Sequence, residues 1–463
     1  MNTVWIKILV ADSLNLIYGS RVKKIYVESL GCAKNQVDSE LLLSYSKEEG
    51  YTVTKNPSEA NVIIVNTCGF IESAKKESID TFFTFRNAYP DKQIILAGCL
   101  AQRYSDQLEL EEADAIFGNH DLEEIKIVLR RLEKEREQVI YTPCYRNVED
   151  ERNTRSENLS FKSTAYLKIS EGCNHRCHFC AIPIIRGGLR SRPMDSIIEE
   201  AKQLISDGIY EINLVAQDLG YYGIETDGKQ KFTTLIKALA ELEGNFVLRM
   251  LYIHPDTFPL ELIDIVKEHK KILPYFDIPF QHADERVLKN MKRTGNREKY
   301  VGLINKIRQE IPEAVIRSTI MLAHPGEDRQ AFEEVLKFLK EAQLDWMGSF
   351  LYSREEDTVS YEQRKQREHN KAVKQASTWK GELEALQSGI TAERLKRFIG
   401  KTYYAVVEEE IKGEDLAIAR IYSQAPDVDG LTVIMGQDMK EGDVVKVGIK
   451  AVRGVDLEAI KIC

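Results

Sequence analysis

Cys173, Cys177 and Cys180 stand in the stretch Glu171-Gly-Cys-Asn-His-Arg-Cys-His-Phe-Cys180, a C-x3-C-x2-C run that delivers three soft ligands from one short loop and no fourth. Thiolates are the ligands of iron–sulfur clusters. Three of them on a four-iron cluster leave one iron free to bind another molecule. Zinc is the competing reading, because His175 and His178 lie inside the run. Structural zinc sites close with four ligands, usually in paired C-x2-4-C and H-x3-5-H spacing, and no second pair follows within roughly the next hundred residues. A disulfide framework fits less well still: the chain is long and shows no secretory signal.

A second set of three thiols emerges from the elements that must carry them. From Lys23 to about Tyr141 short apolar runs alternate with helical stretches, the grammar of a parallel α/β sheet. The run from Ile25 leads into Gly31-Cys32, the run from Val62 into Cys68-Gly69, and the run from Ile94 into Cys99. Each thiol therefore follows a strand's carboxyl end, and in an open parallel sheet those ends share the edge at which ligands bind. The competing view is that free cysteines pack as small buried hydrophobes. Three at one topological position favour a site.

With 463 residues the chain holds about three domains at roughly 150 residues each. No apolar run reaches the roughly 18 residues of a membrane span, so a soluble, cytoplasmic protein is expected. The net charge of −9 argues against broad nonspecific nucleic-acid binding, although a local basic groove remains compatible with it. Residues 1–22 read as a disordered extension, residues 23–144 as the parallel α/β domain, and the polar stretch 145–163 as a linker. Residues 164–395 repeat βα units, which predicts a full or partial barrel with its reactive site at the strands' carboxyl ends. Cys173 to Cys180 lie just past the first of those strands. The segment 396–463 changes to short strands punctuated by Gly and Asp, a small OB-like β-barrel of about five strands. It carries ten Lys and Arg against twelve Asp and Glu, without the aromatic and basic interleaving of a base-stacking surface.

The order and spacing of these parts resemble the radical S-adenosylmethionine methylthiotransferases across nearly all of Lys23 to Cys463. Several words resemble the branch that acts on a ribosomal protein, the RimO-like enzymes: Leu30-Gly-Cys-Ala-Lys-Asn35, Arg186-Gly-Gly-Leu-Arg-Ser-Arg192, Gln217-Asp218, Asp277-Ile-Pro-Phe-Gln-His282 and Ala425-Pro-Asp-Val-Asp-Gly430. One departure is Ala323-His324, where the family usually has Gly and an aromatic. The resemblance implies a methylthiotransferase N-terminal domain, a radical SAM partial barrel and a terminal TRAM barrel. It implies two 4Fe-4S clusters, one on Cys173, Cys177 and Cys180 and the other on Cys32, Cys68 and Cys99, together with S-adenosylmethionine. The implied reaction adds a methylthio group to an aspartate β-carbon of small-subunit ribosomal protein twelve, with an electron carrier such as flavodoxin or ferredoxin and an unspecified sulfur donor. A C–H bond at that carbon is too inert for a general base, which is why a radical is needed. The cofactors would supply reactivity and the protein placement.

Arg190 and Arg192 are candidates for the cofactor carboxylate, and Gln217, Arg249 and Gln281 for its ribose or methionyl part; structural roles compete for all five. His282 and His324 read as barrel-mouth residues rather than ligands, and Cys144 and Cys463 as nonligating. The same chemistry on a transfer-RNA adenosine is the alternative. A noncatalytic zinc-containing RNA-binding module is the rival from another class.

Overall fold

The structure, a computed structural model, describes residues 23–134, 137–144 and 155–462. The proposed leader, residues 145–154 of the linker and Cys463 lie outside them. In the N-terminal domain the strand Val62–Thr67 (β3) is buried at every position, as its unbroken Val and Ile run requires of a strand covered on both faces. Around it a parallel sheet of six strands has the order β2-β1-β3-β4-β5-β6. These are Lys24–Ser29 (β1), Thr52–Val53 (β2), β3, Gln93–Gly98 (β4), Ala115–Phe117 (β5) and Val139–Tyr141 (β6). β1, β3 and β4 are direct neighbours, with Ser29 opposite Asn66 and Asn66 opposite Ala97. The chain leaves all three at one level, so Cys32, Cys68 and Cys99 follow on one edge. Three of the six strands, β2, β5 and β6, are too short for their periodicity to show in sequence.

The central domain is a partial barrel of six parallel strands. In chain order they are Thr164–Lys168 (β7), then, after the two-stranded ribbon Ser170–Glu171 (β8) and Arg190–Ser191 (β9), Glu211–Val215 (β10), Val247–Met250 (β11), Ile272–Asp277 (β12), Val315–Leu322 (β13) and Trp346–Leu351 (β14). Five of the six barrel strands are legible as apolar runs; β14 is not, because Gly348 and Ser349 interrupt its pattern. A 30-residue helix, Gln366–Leu395, then crosses to the terminal domain. Its strands Thr402–Ile411 (β15), Leu416–Ile421 (β16), Thr432–Met435 (β17), Val444–Arg453 (β18) and Asp456–Lys461 (β19) close a barrel in the order β15-β16-β17-β19-β18.

Buried charge fastens the domains together. Glu211 at the start of β10 accepts from Arg249 on β11 (2.9 Å) and from Arg420 on β16 (3.1 Å). The indole of Trp346 donates to the Ser423 carbonyl, 2.6 Å away. Residues 155–160, read as the end of a linker, are an ordered strap on the helix Ala33–Glu48 (α1). Arg155 pairs with Glu40 and with Glu200 of the barrel, and the Leu159 amide donates to Glu40 at 2.9 Å. Polar composition alone does not separate such a strap from a loose tether, because its partners are supplied by tertiary neighbours.

Candidate functional site

The loop of Cys173, Cys177 and Cys180 follows β8 at the barrel mouth. Gly172 has φ +73°, and a Cβ there would stand 2.0 Å from the Gly188 carbonyl oxygen, so only glycine lets the loop lie against the Gly187–Gly188 turn. The Cys173 amide completes that contact by donating to the Gly187 carbonyl (3.1 Å). Both histidines of the run are tied into the barrel by one ring nitrogen each. His175 Nε2 meets Asp218 at 2.7 Å, and its ring is stacked between Tyr221 and His254 at 4.1 and 4.0 Å. His178 Nδ1 meets the Asn290 carbonyl at 2.9 Å. All three thiols are unbridged and half-buried. Burial pushes Cys173 up to about 12, with the neighbouring Cys177 thiol adding to the shift, and burial likewise raises Cys180. Metal binding at these buried thiols must therefore displace protons. Among the described residues no three His, Cys, Asp or Glu side chains converge as a single metal ion requires. The donor set is three thiols without a fourth partner, which fits a cluster better than a zinc knuckle.

The second thiol set gathers at the sheet edge. A Cβ on Gly31 would lie 2.9 Å from Cys68 Cβ, and a Cβ on Gly69 would lie 2.9 Å from the Cys99 carbonyl group. Cys99 Sγ accepts from Asn119 Nδ2 and from the Arg186 guanidinium, both at 3.3 Å. Cys99 also packs on Ala181, the residue after Cys180, so the two sites abut. Burial raises Cys99 despite Arg186, and burial with the Cys99 thiol pushes Cys68 up to about 12. Cys32 differs: it is open to a cavity yet walled by protein, and although desolvation opposes it, Lys34 and Arg186 hold its thiol below the ordinary value. That cavity, about 450 Å3, is bounded by all three domains, with Cys32, Tyr252, Arg317 and Asp427 among its walls.

Arg186, buried, joins the two sites. Its guanidinium donates to Asn35 Oδ1 (2.6 Å) and Asp38 Oδ2 (2.8 Å) on α1, and to Glu171 beside the first cysteine loop. Lys168 completes the cluster at 2.8 Å from Asp38. Burial would raise Glu171, but Arg186 and Lys168 outweigh it and hold the carboxyl at about 2. Sequence reading placed Arg186 in a family word without giving it a role, since no local pattern pairs it with Asp38, 148 residues away.

The remaining candidates divide. Gln217 follows β10 with its Nε2 3.5 Å from Glu171, and Gln281 follows β12 in the left-handed region at φ +68°. Their Oε1 atoms, with Ser170 Oγ, are buried without partners. Such orphaned acceptors at strand carboxyl ends fit a polar ligand. Arg190 lies on the ribbon and donates to the carbonyls of Arg186 and Gly188. Arg192 and Arg249 are engaged within the protein. Arg192 is buried against Glu200 (2.7 Å) and the Lys168 carbonyl. Arg249 is held by Glu211 and the Tyr422 carbonyl, turned toward the terminal barrel rather than the cysteine loop. His282 pairs with Glu327 and His324 with Ser360, both buried. Cys144 is exposed.

Comparisons with known proteins agree with this arrangement. Residues 24–118 match the uncharacterized protein family UPF0004, 167–339 the radical SAM superfamily and 399–462 the TRAM domain. A ribosomal protein uS12 methylthiotransferase RimO of Treponema denticola is 40% identical over 93% of this chain and 99% of its own length. The one from Aquifex aeolicus is 42% identical over 94% and 96%. The chain belongs to the RimO family of methylthiotransferases. It is a radical SAM methylthiotransferase, and membership of that superfamily implies an iron–sulfur cluster and S-adenosylmethionine. The fold is shared with the radical S-adenosylmethionine methyltransferase TsrM of Kitasatospora setae, solved with cobalamin and a 4Fe-4S cluster (TM-score 0.54, 13% identity, 71% of this chain and 75% of that one). No described helix is long and apolar enough to cross a membrane.

Proposed function

We propose that this enzyme adds a methylthio group to the β-carbon of an aspartate of ribosomal protein uS12. The carrying observation is that two three-thiol sites abut through Cys99 and Ala181, the second of them opening at Cys32 onto a cavity walled by three domains. Cys173, Cys177 and Cys180 would hold one 4Fe-4S cluster and Cys32, Cys68 and Cys99 a second. Gln217 and Gln281 would orient S-adenosylmethionine through their unpartnered amide oxygens. Bound there, these groups supply one-electron cleavage of S-adenosylmethionine and the methylthio sulfur. The chain's own residues do the placing. Gly172 seats the first cysteine loop, and Arg186 locks that loop to the second thiol site, so the spacing between the sites is fixed by buried ion pairs. An electron carrier of the flavodoxin or ferredoxin class would feed the first site.

The test is anaerobic incubation of the reconstituted enzyme with S-adenosylmethionine, reductant, sulfide and a peptide carrying the uS12 target loop, read by mass spectrometry. One methylthio group on aspartate, with 5′-deoxyadenosine formed, is the expected result. Modification of a transfer-RNA adenosine instead of the peptide would overturn the substrate assignment.

A further inference from the structure

Lys34 lies two residues beyond Cys32, in the first turn of α1, with 7% of its surface exposed. Its ammonium has a single long hydrogen bond, 3.3 Å to the Ala216 carbonyl just beyond β10, and stands 4.6 Å from the centre of the Tyr252 ring. Among the described residues no carboxylate is within ion-pair reach of it. The acidic group beside it is the Cys32 thiol, which Arg186 shares; a buried cation without a carboxylate partner is expensive, and it persists where a ligand supplies further charge. Its position says which ligand. Tyr252 lines the 450 Å3 cavity together with Cys32, while Ala216 belongs to the barrel rim beside Gln217. Lys34 thus stands between the barrel rim at Ala216 and the cavity wall at Tyr252, beside the second thiol site. The cation on the cavity wall itself, Arg317, is already engaged by Asp277 at 3.2 Å and Asp429 at 3.4 Å, whereas Lys34 lies behind Tyr252 without a carboxylate among the described residues. Tyr252 itself is held at φ +68°, with its amide 3.2 Å from Asp277, so the wall facing Lys34 is fixed in a sparsely populated conformation.

From these positions we infer that Lys34 is the residue that reads the substrate side chain: it binds the carboxylate of the aspartate to be modified. This rests on the proposed aspartate reaction. The carboxylate carbon is bonded directly to the β-carbon, so pairing it with Lys34 draws that carbon in between the barrel rim and the second thiol site. An uncharged side chain would leave the buried ammonium unpaired and be rejected for that reason.

The experiment measures binding of fluorescent uS12-loop peptides, with Asp or Asn at the target position, to cluster-loaded enzyme with S-adenosylmethionine. Wild type should bind the Asp peptide on the order of thirtyfold more tightly or better, the size expected for a desolvated charge pair. Lys34→Met and Lys34→Gln should abolish the discrimination, and Lys34→Arg should restore part of it. Iron content and the electron paramagnetic resonance spectrum are recorded for each variant. Lack of discrimination by wild type would overturn the inference, as would discrimination retained by Lys34→Met. Loss of iron from both neutral variants would overturn it in favour of a role in holding the thiol site. If wild type neither binds nor modifies the Asp peptide, the proposed reaction itself fails; if it modifies that peptide while Lys34→Met still discriminates, only the role of Lys34 fails.

Discussion

Replacing Arg186 by Met should loosen the join between the two thiol sites more than any other single change there. The side chain is buried and serves Glu171, Asp38, Asn35 and Cys99 at once. Its removal leaves two buried carboxylates with Lys168 in ion-pair range, 2.8 Å from Asp38 and 3.8 Å from Glu171, and Arg190 acting on Glu171 from farther off. Breaking a buried pair from one side costs about 3–5 kcal/mol. That corresponds to local opening made easier by roughly 100-fold to several thousandfold. Amide hydrogen exchange of metal-free protein reads it directly, at the Cys173 amide bonded to Gly187 and the Gln36 amide bonded to Cys32. In reconstituted protein the lost contact to Cys99 should weaken iron retention at the second site by roughly 10- to 100-fold against a chelator, the usual cost of losing a residue that supports a ligand. Arg186→Lys should fall between, because an ammonium cannot reproduce the guanidinium fork. Exchange at those amides unchanged within threefold would refute the reasoning and reduce Arg186 to a space-filler.

Three further expectations follow from other parts of the fold. Burial would raise Glu211, but Arg249 and Arg420 hold it at about 2 against an ordinary value near 4.5. The depressed carboxyl contributes stability above about pH 4.5, about 3 kcal/mol by linkage, and loses it as pH falls toward 2. Trp346 fluorescence should report the terminal barrel loosening across that window, and the Glu211→Gln variant should lack the step; a flat wild-type profile would count against it. Ala323 is held at φ +66°. Ala323→Gly should relieve about 1–2 kcal/mol of left-handed strain against about 0.4–1 kcal/mol of unfolded-state entropy, raising the denaturation midpoint slightly; a lowered midpoint would argue against strain. Gly172→Ala would drive a Cβ into the Gly188 carbonyl, so reconstituted protein should carry about half the wild-type iron, and full loading would show that the loop has room to shift.

Much of the site was legible because thiol chemistry and strand periodicity are local signals. The C-x3-C-x2-C spacing names its donor set within eight residues, and alternation of apolar runs with helical stretches puts Cys32, Cys68 and Cys99 at strand ends without any contact being known. The terminal barrel was legible for the same reason, as was the barrel-mouth character of His282 and His324. What the sequence could not decide is which charge faces which. Arg192, Arg249 and Arg186 look alike in a string; folding buries the first against Glu200 and the second against Glu211, and leaves the third touching Cys99. Nor does composition distinguish a strap from a tether at Arg155, or show that no carboxylate among the described residues stands beside Lys34. The thiol spacing and the alternation of strands with helices were written in the residues themselves. The pairing of buried charges was decided only when three domains closed on one another, because an ion pair depends on burial and on partners more than a hundred positions away.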